Sequence, residues 1–298
     1  MNGILLVDKP AGMTSHTVVS RLRKKLQTKK IGHAGTLDPT ATGLLVICVG
    51  YATKISSYVT DLDKTYQCKF ELGKTTTTYD SEGEIVSHKD SSHITEQNLR
   101  AVFQNFVGHI SQKPPIYSAI KIKGKKLYQY ARSSTEVEIP CRDVTIHSLD
   151  LISFEPPYAT LQVSCTKGTY VRSLVHDIGI ELGVGAAVER IHRTESSPFS
   201  IDKAVTLDAL IEMPLEDIQQ RMISVTDALK NNFNLVSVDS DEEVIIRQGK
   251  DYLKSKIGDN QASFDEDSLF LFVSKESKQE VAIAKWGKQN AVSYLRIL

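Results

Sequence analysis

The sequence predicts an α+β fold over its first 230 residues, followed by a small all-β unit. Three observations carry that prediction. Apolar runs and alternating segments of strand length are interleaved with segments of helical period, but without the strict β–α–β rhythm of a doubly wound sheet. A polar break, KNNFN (230–234), then interrupts the chain. Beyond it, the short runs LVSV, VIIR, LFLFV, VAIAKW and VSYLRIL are spaced as strands of a compact β unit. The boundary is placed near Asn231, giving units 1–230 and 231–298.

Each element has a local reason. GILLV (3–7) reads as a strand closed by Asp8, Lys9 and Pro10. Thr14 or Ser15 can cap a helix in which Val18, Val19, Leu22 and Leu26 recur at helical spacing. GLLVICVG (43–50) is a glycine-bounded apolar run, as in a buried strand. In TYQCKFELG (65–73), Tyr66, Cys68, Phe70 and Leu72 share one face of a strand. Thr95 can cap a helix through Leu99, Val102, Phe103 and Phe106. Residues 112–138 are irregular, with Pro114-Pro115 and a lysine series interleaved with tyrosines, and read as an exposed arm. TLQVSC (160–165) alternates as a strand, Tyr170 to Leu182 has helical period, and a short helix is expected around Ala187–Arg193.

Composition narrows the class. With 298 residues, 41% hydrophobic, the chain can bury a substantial core. It has no apolar run of membrane-spanning length, and its first residues lack the pattern of a signal peptide. Cys48, Cys68, Cys141 and Cys165 form no CxxC or Cys/His cluster, so reduced core thiols in a cytoplasmic protein are expected, and no metal. The net charge is +0, yet it divides into about +5 over residues 1–200 and about −5 over the rest. The basic residues cluster at Arg21, Arg23, Lys24, Lys25, Lys29 and Lys30, and again at Lys113, Lys121, Lys123, Lys125, Lys126 and Arg132. Clustered cations with interleaved tyrosines point to an RNA backbone.

One carboxylate stands apart. Asp38, in GHAGTLDPTATGLL (32–45), sits among small residues and glycines. An Asp-Pro pair ordinarily opens a turn. Its isolation also suits a nucleophile or base at a loop tip, and no second carboxylate or metal cluster lies close in sequence. Tyr66 alone reads as a core tyrosine, and Arg172 alone as a cation unfavourably placed in the first turn of a helix, which suggests an anionic partner.

Several segments together resemble the TruB family of tRNA pseudouridine synthases: LLVDKPAGMTSH (5–16), GHAGTLDPTATGLLVICVGYATK (32–54), DKTYQCKFELG (63–73), PPIYSAIKIKGKKLYQYAR (114–132) and SCTKGTYVRSLVHDIG (164–179). The resemblance implies a mainly antiparallel sheet with flanking helices and a C-terminal PUA-like β-barrel. It implies isomerisation of uridine to pseudouridine at position 55 in the T-loop of tRNA, by base flipping and without a cofactor. Asp38 falls on the family's catalytic aspartate, Tyr66 on its active-site tyrosine and Arg172 on the arginine that pairs with the aspartate. Tyr170 and Ile191 match pocket residues, and His33 the ring that fills the place of the flipped uridine. Lys9 and Pro10 match the turn supporting the catalytic loop. Lys123, Lys125 and Lys126 lie on the matching RNA-gripping arm. Three roles stay open to Asp38: addition to uracil, attack on ribose, or proton abstraction. Ile191-His192-Arg193 departs from the family's usual Leu-Arg-Arg. Lys250, Lys254 and Lys256 are candidates for a basic face on the otherwise acidic C-terminal third. A monomer without an obligate protein partner is expected. A non-catalytic tRNA-binding protein on the same scaffold is the rival reading, and a phosphate-ester hydrolase a weaker one.

Overall fold

The apolar runs at the start of the chain become strands because both of their faces are buried. In the computed structural model, which describes residues 1–298 except 119, 134, 136, 251–263, 266 and 288–291, Gly3–Lys9 forms β1. Helix α1 (Ser15–Lys25) follows, its N-cap Thr14 accepting from the Thr17 amide, and then β2 (Ile31–Ala34) and β3 (Thr42–Val49). β1 and β3 pair antiparallel from Gly3↔Val49 to Lys9↔Gly43. One face of the pair packs Leu5, Val7, Leu45 and Ile47 against Val18, Val19 and Leu22 of α1. The other packs Ile4, Leu44 and Val46 with Val225, Leu229, Leu271 and Ile283.

Downstream come β4 (Lys64–Leu72), α2 (Glu96–Gln104), β5 (Gly108–Gln112), β6 (Arg142–Glu155), β7 (Tyr158–Cys165), α3 (Val171–Glu181), β8 (Ala186–Ser196) and β9 (Val205–Thr206). The sheet runs in the order β9-β1-β3-β8-β4-β7-β6-β5, and its pairings are antiparallel except β1 with β9 and β3 with β8. A second core, with Cys68, Phe70, Leu161 and Val163 of the sheet, packs on Leu99 and Phe103 of α2 and Leu174, Val175 and Ile178 of α3. Tyr66 and Ile191 touch both this core and the one under α1, so they stand at the seam between them.

β8 overturns the helix expected at Ala187–Arg193. The segment is a central strand, flanked by β3 and β4, and register shifts between Val188 and Arg190 and between Arg193 and Glu195 break the alternation that would have marked it. Two neighbouring strands offering backbone partners outweigh a weak helical period. The arm is also more ordered than its composition suggests. Lys121–Ile122 pairs with Lys125–Lys126 across Lys123-Gly124, both at positive φ as a tight hairpin turn requires, and a helix follows at Leu127–Arg132.

The C-terminal unit pairs β10 (Asn234–Val238), β11 (Leu269–Ser274), β12 (Glu280–Trp286) and β13 (Val292–Ile297) in chain order. It is not purely β. VIIR, expected as a strand, lies in α4 (Ser240–Arg247), which a capping box between Asp239 and Glu242 initiates. Tyr51 donates to Glu280 Oε2 at 2.7 Å, joining this unit to the first. Lys254 and Lys256 lie outside the described residues. Cys48, Cys68 and Cys165 are buried free thiols, whereas Cys141, expected in the core, is exposed. Among the described residues no helix is long and apolar enough to cross a membrane.

Candidate active site

Asp38 is held at the tip of the loop joining β2 to β3, and the loop is fastened on both sides. The buried Ser15 hydroxyl accepts from the Leu37 amide (2.9 Å) and donates to the Leu37 carbonyl (3.1 Å). The Gly12 amide donates to the Pro39 carbonyl at 2.9 Å and the Ala41 amide to the Asp38 carbonyl at 3.1 Å. Gly43 returns the chain to the sheet at φ +98°, where a Cβ would collide with the Arg193 backbone on β8, so glycine is required twice over. Lys9 supports the loop from beneath: fully buried, its ammonium donates to the carbonyls of Pro10 (2.8 Å), Met13 (2.8 Å) and Pro39 (3.2 Å). Lys9 therefore touches the loop rather than solvent, and Pro10 is half-buried beside it.

Arg172 reaches the loop from the first turn of α3. Its Nη2 lies 2.9 Å from Asp38 Oδ2, and its Nη1 lies 3.3 Å from Asp80 Oδ2. The same guanidinium donates to the carbonyls of Thr78 (3.0 Å) and Tyr117 (2.9 Å). Two carboxylates and two carbonyls thus satisfy a buried cation placed against its helix dipole.

Asp80 was missed by sequence reasoning. It lies in TTTTYDSEG, where an aspartate reads as a turn residue, and the visible signal was only the short acidic step into Gly83. The loop is pinned by Ser81 N–H to Val188 O (2.8 Å) and Val188 N–H to Tyr79 O (3.0 Å). Tyr79, at φ +64°, stacks on His176 of α3 with ring centroids 3.9 Å apart. Gln112 was also missed: its buried amide accepts from the Tyr170 N–H (2.8 Å) and donates to the Tyr170 carbonyl (3.1 Å), fixing the chain just before α3 to the base of the arm. Ser173 Oγ adds a bond to Lys113 O at 2.8 Å.

A pocket opens above these groups, lined by Asp38, Tyr66, Tyr170, Arg172 and Ile191 together with Thr36, Leu37, Ala41, Thr169 and Val171. Five sequence candidates therefore meet in one place. Burial pushes the Tyr66 phenol up from its ordinary range, opposed by nearby Arg193. Burial also raises Tyr170. Both hydroxyls stay protonated at neutral pH, available as donors. His33 lies on β2 just before the loop, outside this lining; burial lowers its pKa, with Arg193 and His16 adding repulsion. Lys123 and Lys125 are exposed on the arm and Lys126 is half-buried. The arrangement combines a fixed, partly exposed carboxylate, flat aromatic walls and a cationic arm. It suits a planar base presented on a polyanion.

A family model for the TruB family pseudouridylate synthase N-terminal domain matches residues 23–171, and one for the tRNA pseudouridylate synthase B C-terminal domain matches residues 172–230. Among curated relatives, tRNA pseudouridine synthase B of Syntrophotalea carbinolica is 48% identical over 230 residues, covering 77% of this chain and 75% of the relative. That of Azoarcus sp. is 41% identical over 275 residues, covering 92% and 91%. Among solved structures, a Cbf5-Nop10-Gar1 complex superposes with a TM-score of 0.74 over 99% of this chain and 84% of the other, at 24% identity, which establishes a shared fold. The fold and these matches define a pseudouridine synthase. Within that class, the chain belongs to the TruB family.

Proposed function

We propose that the protein isomerises uridine to pseudouridine in tRNA, at position 55 of the T-loop, with the target base flipped into the pocket between Tyr66 and Ile191. The observation that carries the reading is the Asp38–Arg172 pair at 2.9 Å on the floor of an aromatic-lined pocket. Binding alone would not need a carboxylate fixed there by a buried arginine. The names of the curated relatives, each a tRNA pseudouridine synthase B, support tRNA as the substrate.

The net reaction is balanced without a cofactor. The N1–C1′ bond breaks, a C5–C1′ bond forms, and one proton passes from C5 to N1. Asp38 acts directly on the nucleoside, Arg172 keeps it ionised and oriented, and Tyr66 packs on the uracil and is placed for proton transfer. Flipping the base costs a few kcal/mol, and His33, one residue before the end of β2, stacks in the vacated place. Lys123, Lys125 and Lys126 contact backbone phosphates of the T-arm. Residues 1–230 form the catalytic unit and 231–298 an accessory RNA-binding unit, in a protein acting as a monomer. The test is tritium release from C5 of uridine in an unmodified tRNA transcript. Release by the wild type, lost with Asp38→Asn and lost when the T-loop uridine is replaced by cytidine, would support reaction, residue and position together. No release with tRNA still bound would leave a non-catalytic tRNA-binding protein.

A further inference from the structure

Three buried cations surround the Asp38 loop, and among the described residues none has a carboxylate at ion-pairing distance. Lys9 is inaccessible, Arg193 is 1% exposed and Lys64 is 5% exposed. Lys9 donates only to carbonyls, including that of Pro39 next to Asp38. The Lys64 ammonium donates to the carbonyls of Thr60 and Leu62. Arg193 donates through Nε to Leu44 O (2.7 Å) and through Nη2 to Gly35 O (3.1 Å), tying together the two ends of the loop. Among the described residues no carboxylate oxygen lies within ion-pairing distance of any of the three.

They converge on one place. A Cβ built on Gly35 would stand 3.4 Å from Arg193 Nη1 and 3.8 Å from Lys64 Cε, so both side chains reach the loop's first residue while Lys9 holds its far side. In the strand register Arg193 lies opposite Tyr66, whose ring lines the pocket. Taking unpaired cations out of water is costly, and structures ordinarily avoid it. Burial pulls Lys9 down to about 8, with Asp38 favouring its charge and Arg193 opposing it. Burial pulls Lys64 down to about 8 as well, reinforced by Arg193 and resisted by the exposed Asp61 and Asp63 and by Cys165. Arg172 meanwhile already serves both Asp38 and Asp80. Around the loop, the only carboxylates at ion-pairing distance among the described residues, Asp38 and Asp80, are both taken by Arg172, while Asp61 and Asp63 act on Lys64 from farther off, so the three buried cations have no contacting anion of their own.

We propose that Lys9, Lys64 and Arg193 form a cationic cradle whose field stabilises the uracil anion produced when the N-glycosidic bond of the target uridine breaks. The inference rests on uridine isomerisation being the reaction. Cleavage sends both electrons of the N1–C1′ bond onto the uracil, leaving C1′ electron-poor beside the Asp38 carboxylate. After the base turns, C5 supplies the pair for the new bond to C1′, and the proton displaced from C5 passes to N1. A backbone phosphate is the other candidate anion, but it needs exposed donors. Lys9 and Lys64 spend their donors on carbonyls inside the protein, and Arg193 divides its own between carbonyls and the Tyr66 phenol, so they act across the low-dielectric interior as fixed charges, a form of preorganised stabilisation. They are positioning residues, not groups that touch the base.

Lys64→Met removes one charge and leaves every pocket-lining side chain in place. The assay is single-turnover loss of the N1–C1′ linkage in a tRNA stem-loop carrying uridine, or 5-fluorouridine, at the target. A fluorinated uracil bears negative charge more readily and should need the cradle less. The variant is expected to slow the uridine substrate about tenfold and the fluorinated one less than about threefold, with RNA affinity held within about twofold and Lys64→Arg restoring the rate. Equal slowing of both substrates would overturn the cradle. A loss confined to RNA affinity would overturn it too, and would assign the charges to phosphate. If Lys64→Met melts below the assay temperature, Arg193→Gln takes the same pair of measurements with the same criteria. Failure of the wild type to convert uridine would refute the proposed function instead, and the same assay reads it.

Discussion

Asp38 Oδ2 lies 2.9 Å from Arg172 Nη2, with the arginine side chain 6% exposed and the aspartate 41%. The cation is fixed inside the protein and presents the anion at the surface of a pocket. That asymmetry follows from chain order: Arg172 is rooted in α3, which packs against the sheet core, whereas Asp38 rides on a loop.

Asp80 should therefore matter to catalysis without touching the substrate. It holds the opposite end of the guanidinium at 3.3 Å, and Thr78 and the Glu82 amide in turn hold Asp80. Asp80→Asn keeps the shape but weakens a charge-assisted interaction, so Arg172 gains freedom to turn from Asp38. Turnover is expected to fall roughly 10- to 100-fold, with tRNA affinity changed less than about threefold. Single-turnover rates and filter binding on the same transcript check this. Unaltered turnover would leave Asp80 as a turn residue only.

Asp38→Asn removes the charge that the proposed reaction uses but not the volume. Turnover should be abolished while tRNA affinity changes less than about tenfold, since the substitution keeps the shape of the side chain and leaves the lysines of the arm untouched. A larger loss of affinity in an equilibrium titration would mean that Asp38 serves mainly to hold the RNA.

Much of this arrangement was legible in the sequence, for identifiable reasons. GILLV and GLLVICV announced strands because burial on both faces leaves no polar positions. Thr14 and Thr95 announced helix starts because each cap acts within one turn. Asp38 stood out because its loop is otherwise uncharged. The strand carrying Ile191 and Arg193 did not show itself, because its partners β3 and β4 are distant in sequence and its bulges erase the period of two. Asp80 and Gln112 were hidden for a related reason. Their partners, Arg172 and Tyr170, are supplied by a helix far along the chain, so nothing local distinguishes them from an ordinary turn aspartate and strand-end glutamine.

The arm makes an electrostatic prediction. Lys123 and Lys125 are exposed on a hairpin that Tyr130 braces by donating to Ile122 O at 2.9 Å, so their charges are presented together by a folded element. Replacing Lys123, Lys125 and Lys126 together by glutamine should weaken tRNA binding. It should also flatten the plot of log affinity against log salt, by about 0.7–0.9 for each phosphate no longer neutralised. Titrations at several salt concentrations measure that slope directly, and an unchanged slope would show that the arm does not touch phosphates.

Asp177, on α3 little more than one turn beyond Arg172, predicts a pH-dependent stability. Burial raises its carboxyl from 3.8 to about 6. A raised acid pKa means that the folded state binds the proton more tightly than the unfolded chain does. The folded protein therefore benefits fully from a protonated Asp177 at low pH, and loses that benefit as pH rises from about 4 to about 6. Above that window the residue is a half-buried, destabilising anion. Asp177→Asn keeps the shape without the charge. It should raise the melting temperature at pH 7, where about 1–2 kcal/mol is recovered after allowing for partial solvation, or several degrees for a chain of this size. Near pH 4 the variant and wild type should melt together. Thermal melts at the two pH values decide it: equal stabilisation at both would place the effect in packing rather than in charge.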